Sequence, residues 1–67
     1  MFSHETVHCE IVKCTDQAIL IDQNGCENWV PKSKVDNGFD YTESDEGTVA
    51  SLEVETWVCE EKELEIE

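Results

Sequence analysis

Four cysteines, two histidines and a surplus of carboxylates are the side chains through which this chain could do chemistry. A structural zinc site needs four ligands, usually paired as Cys-x2–4-Cys or His-x3–5-His. Cys9 and Cys14 are separated by four residues, which suits such a pair. On a regular strand, however, an odd offset sends the two thiols to opposite faces, and only a bulge would reunite them. His4 and His8 share a strand face but lie roughly 13 Å apart by strand rise, too far for one ion. Cys26 and Cys59 stand alone. The pattern predicts no metal and no cofactor, with Cys9 and Cys26 acting as small buried hydrophobes.

Nucleophilic catalysis needs a base within hydrogen-bond reach of the nucleophile, whereas adjacent His8 and Cys9 point to opposite faces of a strand. No two carboxylates stand out as a buried, pKa-shifted pair for acid–base work, and no glycine-rich phosphate loop is present. The chain reads as a non-enzyme. The segment 36–48, "DNGFDYTESDEGT", holds five acids. It lacks the alternating ligands, central glycine and terminal glutamate of an EF-hand loop, so it does not read as a calcium site. Lys13, Lys32 and Lys34, with Trp29 close to the last two, are the one foothold for single-stranded nucleic acid, which binds aromatic platforms in basic grooves. Three lysines among seventeen acids make a poor groove. The plainer reading buries Trp29 in the core and leaves the lysines on a solvated corner.

Charge is the strongest compositional feature. The 67 residues carry a net charge of −13. Residues 1–35 hold five acids and three lysines, and residues 36–67 hold twelve acids and one lysine. Such a field repels DNA and RNA phosphates and attracts the basic surfaces that other proteins use to hold nucleic acid. The candidate partner-binding surface comprises Asp36, Asp40, Glu43, Asp45, Glu46, Glu53, Glu55, Glu60 and Glu61. The competing class is an accessory interaction module whose acidity serves only solubility. No apolar run approaches a membrane span, and "MFSHETVHCE" lacks the basic start and apolar run of a signal peptide. A cytoplasmic location, with no membrane partner and no disulfide, is expected.

The elements that position these residues follow from alternation and turn chemistry. A chain of this length makes a single domain, 1–67, burying only about 60 % of the surface its unfolded form exposes. Residues 5–14 alternate as a strand, with Val7, Cys9 and Ile11 on one face and His8, Glu10, Val12 and Cys14 on the other. The continuous apolar run within 17–23 predicts a strand covered on both faces. Asn24-Gly25 is a type I′ hairpin signal leading into a strand at 26–30. A two-residue loop sets the pairs Gln23–Cys26, Asp22–Glu27, Ile21–Asn28, Leu20–Trp29 and Ile19–Val30, with Leu20–Trp29 expected at the centre of the core. Pro31 ends that strand, and Lys32 to Val35 form a turn that tucks Val35 underneath. An acidic loop at 36–47, with Phe39 and Tyr41 packing back, precedes a strand at 48–56. There Ala50, Leu52 and Val54 point inward and Ser51, Glu53 and Glu55 outward. Thr56 N-caps a helix at 57–64, on which Trp57, Glu61 and Leu64 share a side. The fold class is mainly β (α+β): a four- to five-stranded antiparallel curled sheet or barrel, SH3-like or OB-like, with a short C-terminal helix.

The stretches Ala18 to Ile21, Trp29 to Ser33, Val35 and Trp57 together resemble a group of small phage and prophage-type proteins. Those chains share an apolar strand, a turn, a strand ending W-[VI]-P-K-S, an acidic loop, a further strand and a Trp-led helix. The resemblance implies a small β-rich fold in a viral or mobile-element setting, and it carries no catalytic residues. It also implies a partner: a basic surface of a host or phage protein, met in the host cytoplasm. On that reading the chain is a nucleic-acid mimic that inhibits a nucleic-acid-handling or defence complex and does not itself bind double-stranded nucleic acid. A monomer, or a homodimer through an exposed strand edge or the Trp57 helix, fits equally.

Overall fold

The computed structural model describes residues 3–66. Four strands, β1 (His4–Cys14), β2 (Ala18–Gln23), β3 (Cys26–Pro31) and β4 (Val49–Glu55), precede one short helix, α1 (Thr56–Glu61). They form one antiparallel sheet in the order β3-β2-β1-β4, curled but not closed into a barrel. No helix among the described residues is long and apolar enough to cross a membrane.

Turn chemistry sets the β2–β3 register. Asn24 and Gly25 both take positive φ, +54° and +88°, as a type I′ turn requires. All five pairs expected from a two-residue loop are present, and Ala18–Pro31 adds a sixth. The long β1 serves two partners, pairing β4 along His4–Glu10 and β2 along Glu10–Cys14. Within the half that pairs β2 the register slips, because Ile11 pairs Ile21 while Lys13 already pairs Leu20. This bulge inserts Val12 as an extra residue and restores Cys14 to the face of Cys9 and Ile11. Regular alternation alone would put Cys14 on the opposite face.

The core lies on one face of the sheet. Val7, Ile11, Ile19, Ile21, Val30, Leu52 and Val54 are fully buried there, beneath Val35, Val58, Cys59 and Leu64. The Leu20–Trp29 pair forms as expected, but on the other face, with Trp29 46 % exposed. Period-two geometry explains this reversal: Leu20 and Trp29 share their face with Asp22 and Glu27, so burying the aromatic would bury two carboxylates. The β2 strand is therefore covered on one face only. Phe39 likewise stays 64 % exposed, whereas Tyr41 packs against the core.

After β3, a 3-10 turn at Lys32–Lys34 carries the chain under the sheet, where Val35 bridges to Val54. The Asp36 N–H donates to the Glu53 carbonyl at 2.8 Å. The Asn37 amide imitates a strand residue, accepting from the Glu53 N–H at 3.1 Å and donating to the Ser51 carbonyl at 3.3 Å. Segment 35–37 thus occupies the outer edge of β4. The acidic loop holds two further 3-10 turns, Gly38–Asp40 and Glu43–Asp45. The second is closed by a capping box: Thr42 Oγ1 accepts from the Ser44 N–H, and Asp45 Oδ2 accepts from the Thr42 N–H.

Glu55, not Thr56, is the residue at the N-cap of α1, and the helix stops at Glu61 instead of reaching residue 64. Glu63 takes φ +54°, its N–H donates to the Glu60 carbonyl, and the Leu64 N–H donates to the Cys59 carbonyl at 2.9 Å. This Schellman arrangement turns Leu64 into the core beside Val58 and Cys59, so the buried side of the helix is theirs and not that of the half-exposed Trp57.

Candidate binding face

The sheet surface opposite the core is open to solvent, and the strand registers align its side chains in rows. One row runs Glu27–Asp22–Glu10–Val49 across all four strands. Three carboxylates therefore stand directly beside one another on β3, β2 and β1. Because Gln23–Cys26 closes a two-residue hairpin, it is a hydrogen-bonded pair, which makes Asp22–Glu27 a non-hydrogen-bonded one with its side chains close together. Asp22 Oδ1 is buried and, among the described residues, has no hydrogen-bond partner. The adjacent row runs Lys13–Leu20–Trp29, setting an exposed indole against the acidic row. On the β1–β4 side, Thr6 Oγ1 donates to Glu53 at 2.9 Å, and Ser51 Oγ bonds His8 Nδ1 at 2.9 Å.

The acids singled out from sequence occupy different surroundings. Asp36, Asp40, Glu43, Glu46, Glu60 and Glu61 are exposed, and Asp45 and Glu53 are partly covered. Glu55 is only 8 % exposed and accepts from Trp57 Nε1 at 2.6 Å, so it belongs to the interior of the fold and does not present an outward carboxylate. Glu46 reaches back to accept from the Cys14 N–H at 2.9 Å beside the bulge. Glu10, Asp22 and Glu27, absent from that set, form the tightest acidic alignment. The Asp22–Glu27 half of it follows from the Asn24-Gly25 register. Glu10 joins only through the long-range β1–β2 pairing.

The lysines beside Trp29 are not a free basic island. Lys32 is 5 % exposed, donates from Nζ to the Tyr41 carbonyl at 3.0 Å and sits 6.0 Å from the Phe39 ring centre. Lys34 Nζ lies 5.6 Å from the Trp57 ring centre. Lys32 also lines a cleft of about 270 Å³ with Cys14, Thr15, Asp16, Tyr41, Thr42, Glu43 and Ser44, so that two acids share the lining with the one lysine.

All four cysteines are free thiols; Cys9, Cys14 and Cys59 are buried, whereas Cys26, expected inside, is exposed at the start of β3. Burial pushes the Cys9 thiol up to about 11. Burial, reinforced by the Glu5 charge, also raises the Cys59 thiol. These groups stay protonated at neutral pH and pack as small hydrophobes. Although the bulge brings Cys9 and Cys14 to one face, no three His, Cys, Asp or Glu side chains among the described residues converge as a metal site would require. Comparisons with family models, with curated proteins and with solved structures find no match to this chain.

Proposed function

We propose that this chain is a non-enzymatic acidic binding protein that docks the outer face of its sheet on a basic surface of another protein, in the place nucleic acid would take. The observation that carries this reading is the Glu27–Asp22–Glu10 row, with one Asp22 oxygen buried and unpartnered among the described residues. Like charges directly opposite one another destabilise a sheet, and such a local conflict is characteristic of a functional surface. An arginine or lysine set among them removes the repulsion and gains charge-assisted hydrogen bonds. The net charge of −13 adds long-range attraction toward basic patches. The phage-type resemblance of the Trp29–Ser33 segment suggests a host nucleic-acid-handling or defence complex as the partner, with inhibition as the outcome. The thiols of Cys9 and Cys59, which burial keeps protonated, favour a binding role over covalent chemistry.

The test is affinity capture from host lysate at low and high salt, comparing the native chain with the triple variant Glu10→Gln, Asp22→Asn, Glu27→Gln. The native chain captures basic nucleic-acid-binding proteins that high salt or added oligonucleotide releases, and the variant loses them. Equal capture by both chains removes the outer face from the reading. The exposure of Trp29 in one row with Lys13, Leu20 lying between them, favours one second reading, direct binding of single strands by stacking. In a Trp57→Phe background, quenching of Trp29 by an oligonucleotide at low salt supports that alternative, and unchanged emission removes it.

A further inference from the structure

We propose that the partner supplies an extended segment with arginine or lysine at alternate positions, and that this segment adds to the free edge of β3 as a fifth strand. This inference rests on the binding reading above and names the shape of its ligand. The two edges of the sheet differ. The β4 edge is occupied by Val35, Asp36 and the Asn37 amide. The β3 edge is not: among the described residues β3 pairs only with β2, and no hydrogen bond reaches its outer side. Since Cys26, Asn28 and Val30 direct their backbone groups toward β2, the N–H and C=O of Glu27 and Trp29 point outward. Pro31 has no N–H and closes the ladder there.

Backbone pairing at this edge delivers side chains to the acidic face. An added strand lies about 4.8 Å beyond β3, and its outer-face residue opposite Glu27 has its Cβ about 5 Å away. A long cationic side chain at that position meets Glu27 and reaches toward Asp22. The residue two places along lies over Trp29, whose half-exposed ring offers a cation–π contact. The sheet thus selects a [K/R]-x-[K/R] pattern in extended conformation, the β-augmentation mode of peptide recognition. Charge complementarity sets this occupant above a second copy of the chain, which would bring another Glu27 and Asp22 to the same seam in a molecule of net charge −13.

Three peptides alternating arginine with threonine test the proposal by fluorescence anisotropy at low salt: one unmodified, one N-methylated at the arginines and one at the threonines. Methylation of one set is expected to weaken binding about ten-fold or more while the other set is tolerated, because only alternate residues pair with the edge. Loss at the arginines marks an antiparallel arrangement and loss at the threonines a parallel one. If both methylated peptides bind like the unmodified one, strand addition is overturned while the basic-surface reading stands. If no peptide binds at all, strand addition falls, and capture of basic proteins by the native chain still decides the wider reading. Sedimentation of the free protein as a dimer with β3 amides protected from exchange assigns the edge to a second copy and also overturns the proposal.

Discussion

Replacing Glu27 by lysine should stabilise the fold and weaken binding at the same time. Glu27 faces Asp22 across a non-hydrogen-bonded pair, where Cα atoms approach to about 4.5 Å and side chains to about 5 Å. Two like charges at about 5 Å cost roughly 0.8 kcal/mol in a water-like dielectric, within the range of about 0.2–1 kcal/mol for cross-strand pairs. Glu10 lies a further strand away, at about 10 Å from Glu27, and contributes little after screening. Glu27→Gln removes the repulsion, and Glu27→Lys replaces it with attraction. The expected gains are about 0.5 kcal/mol for the first and about 1 kcal/mol for the second. Urea denaturation followed by circular dichroism measures both, at low salt and near 1 M, where a Debye length of about 3 Å should erase most of the difference. Asp40→Lys is the control, because it makes the same change in net charge from an exposed loop position. An equal gain from Asp40→Lys, or a gain from Glu27→Lys that survives high salt, would refute the row and leave only a general relief of net charge. The same Glu27→Lys protein should lose affinity for arginine-rich peptides, a trade of function for stability.

Three further outcomes are expected. Glu63→Gly should stabilise by about 0.5–1 kcal/mol in thermal melts, since φ +54° just past the end of α1 is strained for glutamate and free for glycine. Gly38→Ala should cost about 1–3 kcal/mol, because a Cβ there would stand 2.7 Å from the Lys32 carbonyl oxygen. At neutral pH a thiol reagent should label Cys26 rapidly and the other three cysteines only on unfolding. With Cys9 raised from 9.0 to about 11, the folded chain keeps a proton that the unfolded chain loses. Stability should therefore be intact below about pH 9 and decline toward pH 11 by up to about 2–3 kcal/mol, read from urea midpoints across that window.

What the sequence made legible was local. Asn24-Gly25 dictates a turn, the turn dictates a register, and every predicted β2–β3 pair follows, as does the tucking of Val35 after Pro31. What it concealed depended on contacts between distant segments. The bulge at Val12 forms inside the β1–β2 ladder, just past the Glu10 that pairs both β4 and β2, and nothing in "EIVKC" announces it; yet it decides which face Cys14 joins. The choice of buried face is not set by Trp29, the largest apolar side chain nearby, because hydrophobicity alone does not force a residue inside. The carboxylates of Asp22 and Glu27 on the same face were the overriding signal. Lys32 reads as solvated from sequence because its cover, the loop that brings the Tyr41 carbonyl over it, is a tertiary contact.

Charge counted along the chain and charge presented by the fold are different quantities, and the difference separates two kinds of acid. The second half of the chain is the more acidic, but several of its carboxylates are committed to the architecture. Glu46 holds the Cys14 N–H, Asp45 the Thr42 N–H, Glu53 the Thr6 hydroxyl and Glu55 the Trp57 indole. Among the described residues no hydrogen bond engages the carboxylates of Glu10 or Glu27, which come from the nearly neutral half. Neutralising the two sets should therefore have opposite signatures. Glu46→Gln and Glu55→Gln weaken charge-assisted hydrogen bonds, at about 1 kcal/mol each, and should lower the urea midpoint while leaving peptide affinity nearly unchanged. Glu10→Gln and Glu27→Gln should hold or raise the midpoint and lower affinity, with a shallower salt dependence. If the architectural acids proved to govern affinity and the sheet row did not, binding would belong to the acidic loop and helix, and the outer face of the sheet would be only a solvated surface.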